Sequence, residues 1–151
     1  MKHAVVVLTM IAFCTFGFAK NECPQTTTYR IYSNAFYSKE TGDVGGYELA
    51  LKPTTGNSYD ALLYIYEGAP NTDGIAMTGT GQGPTISLEG NWIEELIEYP
   101  SKRHVTDTKH VKLKGRFSKA KFSGLVQIDN DSSPFSLKST NHIWLCKALN
   151  D

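Results

Sequence analysis

Apolar and polar residues alternate along most of the chain after residue 26, in short runs separated by turn-forming residues. This period-two pattern predicts β-strands that bury one face and expose the other. The breaks contain clusters such as Thr-Gly-Asp at 41–43, Thr-Gly-Asn at 55–57 and Asp-Asn-Asp at 129–131, which favour turns. The predicted strands cover 27–37, 46–52, 61–67, 85–92, 110–117, 121–129 and 134–139, with a last one near 142–146.

Two segments depart from this alternation. Four apolar residues are spaced as on one side of a helix: Trp92, Ile93, Leu96 and Ile97. With Pro100 to end it, this spacing predicts a short helix near 92–99. The glycine-rich run 78–83 predicts a flexible loop, because Pro84 and a strand follow it where a phosphate-binding loop needs a helix.

The segments 86–92 and 111–117 share one pattern, apolar-x-Leu-x-Gly-x-aromatic. Their glycines, Gly90 and Gly115, fall on the inward face, and Gly124 follows in the next strand. An inward glycine weakens a strand unless the strand bends or another backbone comes close, as happens in small closed barrels. We therefore predict an all-β fold, a small antiparallel up-and-down barrel of about eight short strands, in preference to a flat sandwich. In architecture this organisation resembles the lipocalin and avidin class, although no Gly-x-Trp occurs near the first strand.

The first nineteen residues have the features of an export signal. Lys2 precedes an uncharged apolar run over 4–18, and Gly17 and Ala19 are the small residues that a signal peptidase requires. The run is too short for a confident membrane-spanning helix, which needs about 20 apolar residues. We expect 1–19 to be a cleavable signal peptide and 20–151 to be one β domain. The mature protein would be secreted or periplasmic, with no integral membrane segment.

Cysteine usage agrees with export. Cys14 lies within the predicted signal peptide, so the mature chain keeps one pair, Cys23 and Cys146. An oxidising compartment favours a disulfide between them, which would tie together the two ends of the domain. A redox or metal-binding role is disfavoured, because there is no Cys-x-x-Cys element.

Charge is balanced overall but divided along the chain. The segment 40–98 has ten acidic residues and one basic residue, whereas 102–121 has eight basic residues and one acidic residue. Alternation places Lys112, Lys114 and Arg116 on the outward face of one strand, and Lys121 follows just beyond the next turn. Such a basic strip predicts docking of an anionic partner, either an acidic protein or an envelope polymer. The alternative is internal complementation, with Glu89 facing Lys114 across adjacent strands.

Aromatic residues form a second candidate group. The segment 61–67 is apolar on both faces, so one side must be covered or form a contact surface. If Tyr64, Tyr66 and Trp92 line a barrel mouth, they suit a small apolar ligand. If the aromatic residues merely fill the barrel, no ligand is implied, and small barrels are compatible with either case.

Signals for catalysis are weak. His104, His110 and His142 have no recognised metal-ligand spacing, and no nucleophile elbow, phosphate loop or metalloprotease motif occurs. Nucleic acid is disfavoured as a partner, because Phe117 and Phe122 beside the basic strip are predicted to point inward. We therefore expect an exported binding protein of the inhibitor or accessory-factor type, with no catalytic residue, metal or cofactor. A carrier of a small apolar ligand and an enzyme of unrecognised type are the alternatives.

Overall fold

The computed structural model describes residues 23–68, 73–98, 102–144 and 146. Within them the chain forms the strands β1 (Arg30–Ser33), β2 (Phe36–Tyr37), β3 (Val44–Pro53), β4 (Ser58–Gly68), β5 (Ile75–Gln82), β6 (Thr85–Glu98), β7 (Arg103–Phe117), β8 (Lys121–Ile128) and β9 (Asp131–Thr140). From β3 to β9 each strand pairs antiparallel with the next, and β1 pairs with both β9 and β3. This closes a barrel of eight strands, with β2 as an extra strand beside β3. The predicted up-and-down barrel is confirmed.

The interior of the barrel is filled by side chains at alternate positions of its strands. Sixteen buried residues form this core: Tyr32, Leu49, Leu51, Ala61, Leu63, Ile65, Ile75, Met77, Ile86, Leu88, Val111, Leu113, Phe122, Val126, Phe135 and Leu137. The Phe122 ring stacks on Phe135 at 5.5 Å between centroids and meets Tyr32 edge-on at 5.9 Å. Burying an apolar side chain of this size contributes about 1.5–3 kcal/mol, so this core provides most of the driving force for closure.

The two matching segments pair with each other. In the β6–β7 register Leu88 lies opposite Leu113, and each glycine lies opposite the first apolar residue of the other motif, Gly115 beside Ile86 and Gly90 beside Val111. A Cβ at Gly115 would come within 2.7 Å of the Ser123 carbonyl oxygen. The predicted close approach of neighbouring backbones at these glycines is therefore present.

Two predicted elements in the middle of the chain are wrong. The segment 92–98 is not helical, because β6 continues to Glu98 and pairs with β7 as far as Arg103. Ladder hydrogen bonds to a neighbouring strand satisfy this backbone and override the helical spacing of its apolar residues. The run 78–83 is not a loop either, since β5 extends to Gln82. Its glycines let strands approach closely, and a Cβ at Gly81 would meet the Thr85 carbonyl oxygen at 2.9 Å.

A second apolar cluster lies on the outer side of β3 and β4. It comprises Ile31, Val44, Ala50, Tyr64, Tyr66 and Ile143. The apolar part of the segment, 61–66, is thus buried or half-buried on both faces, as its composition requires, whereas Glu67 is exposed. The strand expected near 142–146 is wrong, because the described residues there are not in a strand and instead pack on this outer wall. The Cys23–Cys146 disulfide is present, with the two Cα atoms 5.9 Å apart.

The barrel has two distinct ends. The "turn end" holds the connections 54–57, 83–84 and 118–120, and backbone bonds join them: Gly81 N–H donates to Asn57 O and Phe117 N–H to Pro84 O. At the opposite "arm end", β6 and β7 project beyond β5 and β8 as a two-stranded ribbon, 91–98 with 103–110, which we call the arm. Among the described residues there is no helix long and apolar enough to cross a membrane. The predicted signal peptide, 1–19, lies outside the described residues.

Candidate anion-docking surface

Five cationic side chains share the outer face of β7, β8 and β9, and we call this surface the basic face. It consists of Lys112, Lys114, Arg116, Lys121 and Lys138, all of them exposed. Their orientation follows from the pleat, because the alternating neighbours Val111, Leu113 and Phe122 point into the core. Four of the five are the residues that the sequence predicts for partner binding.

Lys138 is the member that the sequence analysis missed. Alternation with Phe135 and Leu137 shows that it points outward, but its neighbours depend on the strand register. In that register Lys138 lies directly opposite Lys121. Like charges at directly opposed positions are destabilising, so a bound anion would remove an unfavourable interaction as well as add favourable ones.

The cations of the basic face form no ion pair with an acidic side chain among the described residues. The predicted cross-strand pairing of Glu89 with Lys114 is wrong, because the register is shifted by two residues. Lys114 lies opposite Ser87, and Glu89 lies opposite Lys112. The Glu89 carboxylate approaches His110 instead, with 3.8 Å between Oε2 and Nε2. No ion pair within 4 Å forms between the basic face and the described part of the chain. Internal complementation therefore leaves most of this surface unneutralised.

An apolar side chain lies within this charged surface. Leu125 is 51% exposed and lies between Lys114 on one neighbouring strand and Pro134 on the other. Protein-binding surfaces combine an apolar centre with a polar rim. Leu125 and Pro134 would supply an apolar contact at the margin of the basic face, beside Lys114, while Lys121 and Lys138 lie four residues further along β8 and β9.

Charge is also divided between the two ends of the barrel. Six cations lie at the turn end: Arg30, Lys52, Arg116, Lys119, Lys121 and Lys138. The described acidic residue there is Asp60, which lies opposite Lys52. The arm end holds most of the acidic residues, namely Glu40, Asp43, Glu67, Asp73, Glu94, Glu95, Asp107, Asp129 and Asp131. The separation seen along the sequence thus becomes an electrostatic polarity along the barrel axis.

The arm has its own polar and apolar contacts. Lys109 Nζ lies 2.6 Å from Glu94 Oε2 and 5.0 Å from the centre of the Trp92 ring. The hydrogen bond to Glu94 raises the pKa of Lys109 and keeps it protonated. Ile93 and Ile97 are 64% and 49% exposed, so the arm offers apolar surface on the side away from Trp92.

The structure does not bring together the three predicted pocket residues. Tyr64 and Tyr66 lie on the outer wall of the barrel, whereas Trp92 packs against the interior core. On that outer wall the Tyr66 hydroxyl donates to the buried Glu48 carboxylate at 2.7 Å, and Trp144 N–H donates to Glu48 at 2.8 Å. Burial and the negative charge of Glu48 raise the pKa of Tyr64 to about 12. This site fastens the C-terminal segment to the barrel.

Within the described residues no three His, Cys, Asp or Glu side chains are grouped so that they could hold a metal ion. His110 is engaged with Asn91, at 3.2 Å from Nδ1 to Oδ1, and with Glu89. Comparison of the chain with protein-family models, with curated proteins and with solved structures gives no match. The geometry and charge of this chain are therefore the basis for a functional proposal.

Proposed function

We propose that this protein is an exported binding protein that docks an anionic macromolecular partner through the basic face. The observation that carries the proposal is the combination of five outward cations that form no ion pair within 4 Å with a described residue, and the exposed Leu125 beside Lys114. Export is supported by the predicted signal peptide and by the Cys23–Cys146 disulfide, which an oxidising compartment stabilises.

Electrostatics would act mainly on the rate of encounter. Cations grouped on one face attract an anionic partner at distances up to about 10 Å, the screening length at 0.1 M salt. The turn end extends that field beyond the basic face, while the acidic arm end repels the same partner. The polarity of the barrel would thus orient an approaching anion toward β7, β8 and β9.

A carrier function has less support. The side chains of the core occupy the barrel interior, and the aromatic residues proposed for a pocket lie on opposite sides of the barrel wall. Catalysis has no constellation of described residues in its favour. Docking is therefore the function that we put forward.

The test measures retention of the protein on immobilised poly-glutamate and on immobilised dextran sulfate over a salt gradient. The protein is purified after expression of the full chain. The double variant Lys112→Glu, Lys114→Glu is compared with Lys39→Glu, Lys102→Glu, which changes the net charge equally but lies at the arm end. We expect wild type and the arm-end variant to be retained and the basic-face variant to elute at lower salt.

Two results would contradict docking. If both double variants lose retention equally, binding follows net charge and not the basic face. If wild type is not retained on either polymer at low salt, the basic face is merely a solvated surface. Thermal unfolding of each variant provides the control for folding, because exposed lysines should change stability by no more than about 0.5 kcal/mol.

A further inference from the structure

A polar groove lies at the turn end, where β1 meets β9 and closes the barrel. Its volume is about 260 Å³, just below the range of about 300–1,000 Å³ typical of sites for drug-sized ligands. One wall is the segment that leads into β1, with Thr26, Tyr29 and Arg30, and the other is the end of β9 with Thr140. The turn 118–120 contributes Lys119 at the boundary.

The chemistry of the groove combines two cations with several hydroxyl and amide groups. Arg30 and Lys119 form no ion pair with a described carboxylate. The side chains of Thr26, Ser139, Thr140 and Asn141 make no hydrogen bond to other described residues. The hydroxyl and amide groups and Lys119 are thus available to a ligand. Arg30 already lies over the Phe117 ring at 5.7 Å, and Lys52 Nζ lies 6.0 Å from the centre of the half-buried Tyr29 ring, so Arg30 and Tyr29 would contact a ligand with the atoms that stay exposed.

The turn that carries Lys119 is fixed in place. Ser118 Oγ accepts from the N–H groups of Ala120 and Lys121 at 3.2 and 3.1 Å. The Tyr32 hydroxyl donates to Ser118 O at 2.7 Å, and Ser139 N–H donates to Ala120 O at 2.9 Å. The turn is therefore bonded to both β1 and β9, and a ligand would not have to order it.

The opposite wall is fixed as well. The N–H groups of Thr28 and Tyr29 donate to Gln25 O at 2.9 and 2.8 Å, and the disulfide at Cys23 holds the start of this segment. A preformed site avoids the entropy cost of ordering its own side chains and loops on binding.

We infer that this groove is a subsite for one sugar unit that carries an anionic substituent, and that the anionic partner of the basic face is therefore an acidic polysaccharide. The cations Arg30 and Lys119 would bind the anionic group, the hydroxyls and the amide would bind sugar hydroxyls, and Tyr29 would contact the ring. A short acidic peptide fits this set less well, because the many uncharged hydroxyl groups would have few partners on a carboxylate side chain. The inference deepens the proposed function and rests on it for the identity of the polymer.

The groove and the basic face are neighbours, so one polymer molecule could bind both. Lys121 and Lys138 of the basic face lie next to Lys119 and Ser139 of the groove in sequence. A polymer could therefore place one unit in the groove and run its following units along β8 and β7. Two linked contacts would raise the overall affinity above that of either alone.

The test titrates the protein, purified from full-chain expression, with a sulfated disaccharide, with the same disaccharide without sulfate, and with inorganic sulfate. Calorimetry gives each Kd, and backbone NMR shifts locate the binding. We expect the sulfated disaccharide to bind at least about tenfold more tightly than the unsulfated disaccharide or inorganic sulfate. The chemical shift changes should fall at 26–30 and 139–141. Lys119→Gln should weaken it about tenfold, as for the loss of one charge-assisted contact, while the matched variant Lys39→Gln leaves it unchanged.

Thr140→Val supplies a second variant, because it keeps the shape of a half-buried residue at the end of β9 and removes one hydroxyl. The inference is overturned if inorganic sulfate binds as tightly as the sulfated disaccharide, or if neither Lys119→Gln nor Thr140→Val changes the Kd. The double variant Lys112→Glu, Lys114→Glu separates the two proposals. It should reduce retention on the polymer and leave the Kd of the sulfated disaccharide unchanged. A wrong proposal for the groove and a wrong proposal for the basic face would therefore give different results.

Discussion

The disulfide between Cys23 and Cys146 should supply a large part of the stability of this domain. The perturbation is the double variant Cys23→Ser, Cys146→Ser, which leaves every strand intact. The two cysteines are 123 residues apart in sequence, and the chain-entropy model gives about 4.9 kcal/mol at 25 °C for closing a loop of that length. Because small domains have about 5–15 kcal/mol of net stability, the variant should lie near the limit of folding.

The assay is equilibrium unfolding in guanidinium chloride, followed by the fluorescence of Trp92 and Trp144. With a slope of about 4 kcal/mol per molar, the loss corresponds to a midpoint lower by about 1.2 M. Reduced wild type should unfold at the midpoint of the variant, and reductant should not change the variant itself. A loss below about 1 kcal/mol would refute the reasoning, since it would mean that the bond does not constrain the unfolded chain.

Two further predictions concern the barrel wall. Gly124→Ala should destabilise the protein by about 1–3 kcal/mol, because the added Cβ would overlap the Lys114 carbonyl oxygen and lie 2.6 Å from Gly115 Cα. Chemical denaturation measures this loss, with the neighbouring variant Ser123→Ala as the control. An equal loss of stability in both variants would contradict the prediction. Tyr64, with its pKa raised to about 12, stays protonated in the folded state while the unfolded state ionises near pH 10. Stability should therefore fall as pH rises from 10 to about 12, and Tyr64→Phe should flatten that decline in unfolding curves recorded across this range.

Alternation along the sequence predicts the faces of the central strands correctly because each has one buried and one exposed side. In β7 Val111 and Leu113 are buried, so the alternating residues Lys112 and Lys114 must point outward. The direction of these predicted partner-binding lysines therefore follows from the sequence pattern. The same rule does not apply to 61–66, where both faces are apolar and buried or half-buried. For that reason the pattern could not show that Tyr64 lies outside the barrel.

The strand register is what the sequence leaves open. Whether Glu89 faces Lys112 or Lys114 depends on the length of the turn and of the arm, and a shift of two residues preserves every inside and outside position. The pairing of Lys121 with Lys138 depends on the register of the β8–β9 hairpin, which the two-residue turn 129–130 sets. The groove beside Lys119 depends on barrel closure, where β1 meets β9, and it joins residues that are distant in sequence, so no local pattern encodes it.

The position of the charges in the connections supports a function for the polarity of the barrel. In an up-and-down barrel, successive connections alternate between the two ends. Three of the connections at the arm end carry acidic residues, namely Glu40 and Asp43, then Asp73, and finally Asp129. The connection 99–102 carries Lys102 and no acidic residue, but Glu94 and Glu95 lie in the arm itself.

The connections between them, 54–57, 83–84 and 118–120, carry no acidic residue, and the last has Lys119. Stability does not require this alternation, because exposed charges at loop positions contribute little to folding. It does create a field that acts on a charged partner from a distance. The turn end has the same sign as the two cations of the groove and the five of the basic face, which agrees with the proposal that this end faces an anionic partner.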